Sequence, residues 1–275
     1  MPLISILFWN LNKKPLHRSI ASIANLYGVD VVILAECEMD PSEVLVALNP
    51  EHSKPRYFFA PSIECEKIVM FTRFPASFMP IVMEADRLSI RHLRTPEMQN
   101  GVLLASIHFP SKLHWDESDQ AVESSQYSSM IRDAEDISGH QRTIVIGDLN
   151  MNPFDPGIIN TNGFHAVQSQ LIAMKRTRTV QKQSYAFFYN PMWNFFGDLS
   201  SGPSGTFYYP PKGHASLYWH MFDQVLLRPD LLSTLNADSV SILDSDGKDT
   251  LLNSNRQPDS TKYSDHLPIL LRLEI

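Results

Sequence analysis

The sequence has little cysteine, no excess of positive charge and no long apolar run. Its 275 residues include only two cysteines, Cys37 and Cys65, which argues against a disulfide-stapled secreted protein and favours a reducing, cytoplasmic setting. The formal net charge of −7 argues against a broad basic surface that grips nucleic acid, although a bound metal and a local basic rim can supply positive potential. No apolar stretch approaches the roughly 20 residues that span a bilayer, so we expect no membrane segment.

The remaining pattern alternates strands with helices. Leu3–Phe8 predicts a strand, Pro15–Tyr27 a helix that ends at Gly28, and Val29–Leu34 a buried strand. We predict further helices over Pro41–Leu48 and Ser118–Ser138, and further strands over Tyr57–Ala60, Lys67–Thr72, Phe78–Met83, Leu88–Arg94, Val102–Phe109, Thr143–Gly147, Met221–Leu227 and Leu267–Leu273. There is no internal repeat and no linker. We therefore predict a single α/β domain over residues 1–275, with two sheets packed together and helices outside.

Polar residues gather where the predicted strands end, and strand ends are where α/β folds bind ligands. The set comprises Asn10, Asn12, Glu36, His108, Asp148, Asn150, Asp223, Asp265 and His266. Taken singly, an aspartate after a strand is more often a turn or helix-capping residue, and a histidine in an apolar strand is more often a core residue. The joint pattern is what points to a site.

The residue types in this set suit the hydrolysis of a phosphate ester. That reaction needs neutralisation of charge on the phosphoryl oxygens, an oriented water and an assisted leaving group. Mg²⁺ takes oxygen ligands and meets the first need, and Glu36 is the best candidate ligand. Asparagine amides can donate to phosphate oxygens without repelling them. The sequence contains no pattern of paired cysteines or of histidines spaced on a helix that would indicate zinc.

Six blocks in a fixed order resemble the endonuclease/exonuclease/phosphatase superfamily, in particular its deoxyribonuclease I-like members. They are Trp9–Asn12, Ile33–Glu36, Ser106–His108, Gly147–Asn150, Phe222–Leu226 and Ser264–Pro268, so the resemblance covers nearly the whole chain. It implies a four-layer α/β sandwich, in which two mixed β-sheets pack face to face with helices outside. It also implies a hydrolase of phosphoric ester bonds that uses Mg²⁺, with Mn²⁺ as the other candidate metal.

The resemblance also implies a role for each residue. Glu36 is similar to the metal-binding glutamate, with Asn12 and Asp265 on the metal side. Asp148 is similar to the aspartate that orients or deprotonates the attacking water. The remaining positions resemble phosphate-holding asparagines (Asn10, Asn150), an active-site histidine with its carboxylate partner (His266, Asp223) and a histidine that stabilises the phosphate or leaving group (His108). Abasic endonucleases carry tyrosine near this last position, so His108 favours the other branches.

Three functions remain open on the sequence alone. The leading one is a nuclease that hydrolyses phosphodiester bonds of DNA or RNA, with nucleic acid as substrate and partner. The second is a small-molecule phosphatase or a phospholipid phosphodiesterase of the inositol phosphate or sphingomyelin type. The third is a non-catalytic scaffold, which the presence of competent residues at every key position disfavours. The sequence does not identify a protein partner.

Three segments bear on the substrate. The basic cluster Lys175–Arg178 is interpreted either as a rim that contacts phosphate or as a solvated loop, with equal weight. The aromatic residues of 185–196 are interpreted as core rather than as a stacking surface. We expect Pro110–Ser129 and Asp244–Lys262 to border the site, because each directly adjoins a catalytic block.

Overall fold

The computed structural model describes residues 3–50, 56–112, 115–199, 201–214 and 216–275. Its α-helices are α1 (His17–Tyr27), α2 (Pro41–Leu48), α3 (Glu117–Ser138), α4 (Pro156–Ile159) and α5 (Gln170–Ala173). Short 3₁₀ helices lie at Ala76–Phe78, Pro191–Phe195 and Pro229–Thr234. The predicted helices are present, and α1 ends as predicted at Gly28, whose φ of 59° is a left-handed cap conformation that glycine adopts without steric cost.

Two large sheets contain most of the strands, and two hairpins contain the rest. In chain order the strands are β1 (Leu3–Asn10), β2 (Val31–Ala35), β3 (Phe58–Phe59), β4 (Ile68–Thr72), β5 (Ile81–Ala85), β6 (Leu88–Leu93), β7 (Val102–His108), β8 (Thr143–Asp148), β9 (Ala166–Val167), β10 (Thr177–Val180), β11 (Gln183–Ala186), β12 (Phe188–Tyr189), β13 (Phe207–Tyr208), β14 (Trp219–His220), β15 (Asp223–Leu227), β16 (Val240–Ile242) and β17 (Ile269–Glu274). The six-stranded sheet has the order β16-β17-β1-β2-β4-β3, and the seven-stranded sheet has the order β5-β6-β7-β8-β15-β12-β9. Strands β10 and β11 form one hairpin, and β13 and β14 form the other.

The two sheets pack face to face, which confirms the predicted four-layer sandwich. Alternation along β8 shows how: Ile144 and Ile146 belong to the core that also contains Phe8 of the other sheet. Val145 points the opposite way and packs with Ile131 of helix α3. Both sheets are mixed, because β1 runs parallel to β2 and β7 runs parallel to β8 while most other pairs are antiparallel.

Two sequence-based expectations need correction. Phe78–Met83 was expected as one strand, but the chain forms a 3₁₀ turn at Ala76–Phe78 and the strand begins only at Ile81. The alternation of apolar and polar residues over Leu88–Arg94 is typical of a strand with one solvated face, but all residues of β6 except His92 are buried. The apparent polarity of β6 comes from a buried ion pair between Arg91 and Glu84. Charged residues are almost never fully buried unless they are paired. The alternation of residue types cannot show that Arg91 has a partner, so it predicts exposure where the side chain is buried.

The pairing of strands brings their functional ends to one end of the sandwich. Asn10 ends β1 and Glu36 follows β2, its parallel neighbour. In the other sheet, His108 at the end of β7 lies opposite Asp148 at the end of β8. Asp223, which begins antiparallel β15, is the partner of Asp148 in register. Gly147 permits this close pairing, because a Cβ there would lie 1.9 Å from the Ile107 carbonyl oxygen.

Candidate active site

Asp148 lies at the centre of the polar residues that the strand ends bring together, which are called the charged cluster below. Its buried carboxylate accepts a hydrogen bond from Asn10 Nδ2 at 2.9 Å and one from the Asn150 backbone N–H at 2.9 Å. The Asn150 side chain is itself fixed, because Nδ2 donates to the Phe109 carbonyl oxygen at 2.9 Å. Burial raises the pKa of Asp148, although the imidazole of His266 favours its ionised form. A carboxylate so placed is oriented by both sheets and suited to accept a proton.

Three of the site residues follow their strands with a left-handed backbone. The φ angles are 44° at Asn12, 47° at Glu36 and 48° at Asn150. Asparagine tolerates this region better than most residues, but a glutamate there is an outlier that costs on the order of 1–3 kcal/mol. The sharp turns end the strands and direct these side chains towards one cavity, which all three line.

His266 and Asp223 form a buried pair. His266 Nδ1 lies 2.8 Å from Asp223 Oδ2, and the free Nε2 lies 4.0 Å from Asp148 Oδ2. Trp9 Nε1 donates to the His266 carbonyl oxygen at 2.9 Å, and the Asp223 backbone N–H donates to Thr206 Oγ1 at 3.1 Å. Burial favours the neutral imidazole, but the carboxylates of Asp223 and Asp148 outweigh it and raise the pKa of His266 to about 10. The imidazole is therefore cationic at neutral pH.

His108 and Glu36 form a second pair beside the first. His108 Nε2 lies 3.5 Å from Glu36 Oε1 and 3.9 Å from Asp148 Oδ2. Interaction with His108 lowers the pKa of Glu36, against the opposing effect of burial. Asn10 Nδ2 also approaches Glu36 Oε1, at 3.4 Å. Glu36 is the more exposed member, with 32% of its side chain accessible, so its second oxygen can take a ligand from the cavity.

The cluster opens into a cavity of about 360 Å³ with one aromatic side. Its polar lining consists of Asn12, Glu36, Asp148, Asn150, Asp265 and His266 together with Ser111 and Lys112, and its aromatic lining of Phe207, Tyr209, His220 and Phe222. The rings of Phe207 and Phe222 stack with centroids 5.3 Å apart. Lys112 lies over the Phe222 ring and is held by Asp155, with Nζ 2.5 Å from the carboxylate. A flat group next to the reacting centre would meet this aromatic side.

A second groove, of about 570 Å³, begins on the other side of Glu36. It shares Glu36 and Ser111 with the aromatic cavity and extends past His108. The other lining residues are Lys13, Cys37, Glu38, Glu66, Lys67, Val69, Arg87, Pro110 and Trp115. Space is therefore available on both sides of the charged cluster.

Two groups of donor atoms at this end of the sandwich are candidates for binding a divalent metal. Asp148, Asp223 and His266 each offer an atom within 4.8 Å of the others, so this buried group could hold an ion. Metal binding by this group requires a neutral imidazole, because a cationic imidazole has no free lone pair. The cationic state of His266 therefore disfavours a metal at this position. The half-exposed Glu36 shares its cavity with Asn12 and Asp265, and together these supply only oxygen and amide donors. Such a hard donor set fits Mg²⁺ or Mn²⁺.

The structure brings all nine predicted site residues into this one region. Six line the cavity, and Asn10, His108 and Asp223 bond to or pair with those six. Sequence reasoning missed Lys112 and the aromatic side of the cavity. Phe222 directly precedes Asp223, which was a usable signal, whereas Phe207 reaches the site only through a bridge to His266.

Neither the basic segment Lys175–Arg178 nor the aromatic segment 185–196 lines either cavity. Lys175–Arg178 runs into the exposed hairpin of β10 and β11. Arg176 pairs with Asp230, which follows the last residue of β15 by three positions, whereas Asp223 begins that strand. The four residues are exposed and line neither cavity, which favours the solvated alternative over a rim that contacts phosphate. Phe187, Phe188 and Tyr189 are buried in the core, as expected, whereas Tyr185, Trp193, Phe195 and Phe196 are only half-buried.

The expected bordering loops behave differently from one another. Pro110–Ser129 does contribute Ser111, Lys112 and Trp115 to the two cavities, although its residues 113 and 114 lie outside the described part of the chain. Asp244–Lys262 contributes to neither cavity. It lies against α1 instead, where a Cβ on Gly247 would be 2.6 Å from Leu26 Cδ2.

The sandwich and its charged cluster define a metal-dependent phosphoesterase. The chain belongs to the Endonuclease/Exonuclease/phosphatase family, whose model matches residues 7–266, and is accordingly a hydrolase of phosphoric ester bonds. No curated protein matches it. Residues 3–50, 56–112, 115–199, 201–214 and 216–275 contain no helix both long and apolar enough to cross a membrane.

Solved structures share the fold at low sequence identity. D. rerio TDP2, complexed with single strand DNA product, is 16% identical over 100% of both chains, with a TM-score of 0.54. The endonuclease domain of TRAS1, a telomere-specific non-LTR retrotransposon, is 13% identical over 99% of both chains, with a TM-score of 0.54. A family protein from Bacteroides thetaiotaomicron is 12% identical over 99% of this chain and 98% of its own, with a TM-score of 0.57.

Proposed function

We propose that the chain is a nuclease that hydrolyses phosphodiester bonds of DNA or RNA with the help of Mg²⁺. The observation that carries the proposal is the position of the charged cluster at the junction of two cavities. A phosphodiester has a substituent on each side of its phosphorus, and the cluster has room on each side. A phosphomonoester would leave one of these spaces without a use.

The metal is assigned to Glu36, with Asn12 and Asp265 on the same side of the cavity. When bound there, Mg²⁺ supplies Lewis-acid stabilisation of the charge on the phosphoryl oxygens. Mn²⁺ prefers a similar set of oxygen ligands and is expected to substitute. The left-handed backbone at Asn12 and Glu36 holds both side chains towards this point before any ligand arrives.

Asp148 is assigned to the attacking water. Burial raises its pKa, and two hydrogen-bond donors fix its two oxygens, so the carboxylate can hold a water in one orientation and take its proton. Asn10 and Asn150 flank it and are placed to brace the phosphate. Attack by that water in line with the leaving oxygen gives inversion at phosphorus and a free phosphate on one product.

His266 and His108 are assigned to the phosphate and the leaving group. The cationic His266 presents Nε2 to the cavity while Asp223 fixes the ring through Nδ1. It stabilises negative charge that develops on the phosphoryl oxygens. His108 lies on the Glu36 side, where its Nε2 can contact the leaving oxygen.

Two further facts favour nucleic acid over a small-molecule or lipid substrate. The aromatic side formed by Phe207 and Phe222 offers a flat surface for a base or sugar next to the scissile bond. The fold is also similar to that of D. rerio TDP2 complexed with single strand DNA product and to the TRAS1 endonuclease domain.

A substrate panel tests the proposal. Purified protein is incubated in Mg²⁺, in Mn²⁺ and in EDTA with single- and double-stranded DNA, RNA, an inositol phosphate, a phospholipid and methyl p-nitrophenyl phosphate. We expect metal-dependent cleavage of DNA or RNA that is lost in Asp148→Asn. Cleavage of the inositol phosphate or the phospholipid alone would replace the proposal by the second function.

A further inference from the structure

The groove beside the metal side of the site contains a tryptophan and an arginine that the mechanism does not use. Trp115 is half-buried and lines the groove together with Arg87 and His108. Trp115 directly precedes Asp116, the N-cap of α3, whose carboxylate accepts from the backbone N–H groups of Ser118 and Asp119. The Trp115 backbone N–H donates to the Ser111 carbonyl oxygen at 3.3 Å. These interactions fix the backbone at Trp115 beside the groove, and the side chain lines it.

Arg87 is held at a defined distance from the reacting centre. The His108 backbone N–H donates to the Arg87 carbonyl oxygen at 3.0 Å, which places Arg87 opposite His108 on the neighbouring strand side. Asp148 lies opposite His108 on the other side. Two strand spacings therefore separate Arg87 from Asp148, about 10 Å across the sheet. Arg87 Nη1 also donates to the His108 carbonyl oxygen at 3.4 Å, which keeps the guanidinium beside His108.

The charges lining the two cavities suit one strand better than two. The cations are Lys13, Lys67, Arg87, Lys112 and His266, and the lining carboxylates are Glu36, Glu38, Glu66, Asp148 and Asp265. Lys13 forms an ion pair with Glu38, and Lys112 forms one with Asp155. The ion pair of Arg87 with Asp86 is longer, at 3.5 Å, and Asp86 is largely exposed. Proteins that grip a duplex neutralise about 6–10 phosphates, far more than this set allows. A tryptophan compensates for few cations only where a base is unpaired and its face is free to stack.

We propose that this groove is a subsite for the nucleotide next to the scissile phosphate on an unpaired strand, with Trp115 stacking on its base and Arg87 binding its phosphate. The proposal rests on the nuclease function above and names its substrate class. Single-stranded nucleic acid, or the unpaired end of a duplex, is the substrate that uses both the groove and the aromatic cavity. A fully paired duplex presents no free base face to Trp115.

The experiment compares two substrates in each of five proteins. The proteins are the wild type, Trp115→Ala, Trp115→Phe, Arg87→Gln and, as a control, Arg178→Gln on the exposed hairpin at the far end. The substrates are a labelled single-stranded oligonucleotide and methyl p-nitrophenyl phosphate, a phosphodiester that contains no nucleotide. The quantity followed is the ratio of kcat/KM for the oligonucleotide to kcat/KM for the small diester.

We expect Trp115→Ala to lower this ratio by about 10-fold or more, the effect of losing one stacked base, and Trp115→Phe to restore most of it. Arg87→Gln should make the dependence of log KM for the oligonucleotide on log salt concentration shallower by about 0.7, the contribution of one phosphate contact. Arg178→Gln should leave both the ratio and the salt dependence at wild-type values.

Two results would overturn the subsite. An unchanged ratio in Trp115→Ala would show that the indole contacts no nucleotide, and an unchanged salt dependence in Arg87→Gln would show that the guanidinium binds no phosphate. The nuclease function is tested separately by the wild type. If the wild type hydrolyses the small diester but no nucleic acid, the proposed function itself is wrong, whatever the variants do.

Discussion

Replacing Asp223 by asparagine should move the pH range over which the enzyme works. Burial favours neutral His266, but Asp223 and Asp148 outweigh it and raise the pKa of His266 from 6.5 to about 10. At 1.36 kcal/mol per pKa unit, that rise corresponds to about 5 kcal/mol in favour of the imidazolium. Because the pKa is raised, this stabilisation is complete below pH 6.5 and is lost as the pH rises through about 10. Without the Asp223 charge, the pKa should fall back towards 6.5.

Two measurements check this expectation. An NMR titration of metal-free protein follows the His266 ring directly, and kcat/KM for methyl p-nitrophenyl phosphate is recorded from pH 5.5 to 9. The wild-type ring should stay protonated across that range, whereas Asp223→Asn should lose its proton and at least about 100-fold of its activity as the pH rises. Asp230→Asn, which alters an exposed ion pair at the far end, is the matched control. An imidazole that titrates alike in the wild type and Asp223→Asn would refute the reasoning.

Three further changes should have separable effects. Asp148→Asn should lower kcat by at least about 100-fold with the fold intact, measured on the small diester, because the carboxylate can no longer take a proton; near-normal turnover would remove it from the mechanism. Glu36→Gln should shift the Mg²⁺ titration of activity to higher concentration, and an unchanged curve would contradict its ligand role. Glu135→Ala should lower the free energy of unfolding by about 3–5 kcal/mol in urea, because it leaves Arg228 buried without its partner; Asp230→Ala, which breaks an exposed pair, should cost about 1 kcal/mol or less.

The sequence allowed the core of the site to be predicted because its signals are local. A buried apolar run followed by a polar residue marks a strand end, and Asp148 and Glu36 each stand at such a point. Strand ends in a layered α/β fold gather at few places, so the order of six blocks was enough to group residues more than 250 positions apart. Asn10 and His266, for example, both reach Asp148 in the structure.

Other features depended on pairings that no local pattern contains. Arg91 gives β6 a polar appearance, yet Glu84 of the neighbouring strand β5 neutralises it in the interior. Segment 244–262 adjoins the Ser264–Pro268 block in sequence but folds against α1, where Leu26 covers Gly247. Neighbours in the chain need not be neighbours at the site, because the chain can turn away from the site within a few residues.

The sequence by itself therefore determined the fold family, the strand ends and the charged cluster, since each follows from residue type and order along the chain. Only the tertiary structure decided which side chains surround that cluster. Trp115 and Arg87 share a groove because β6 pairs with β7 and α3 begins beside Pro110, and Phe207 faces His266 because a hairpin folds over the site. These contacts join residues distant in sequence, and their geometry is fixed by sheet register and packing, which are properties of the whole molecule.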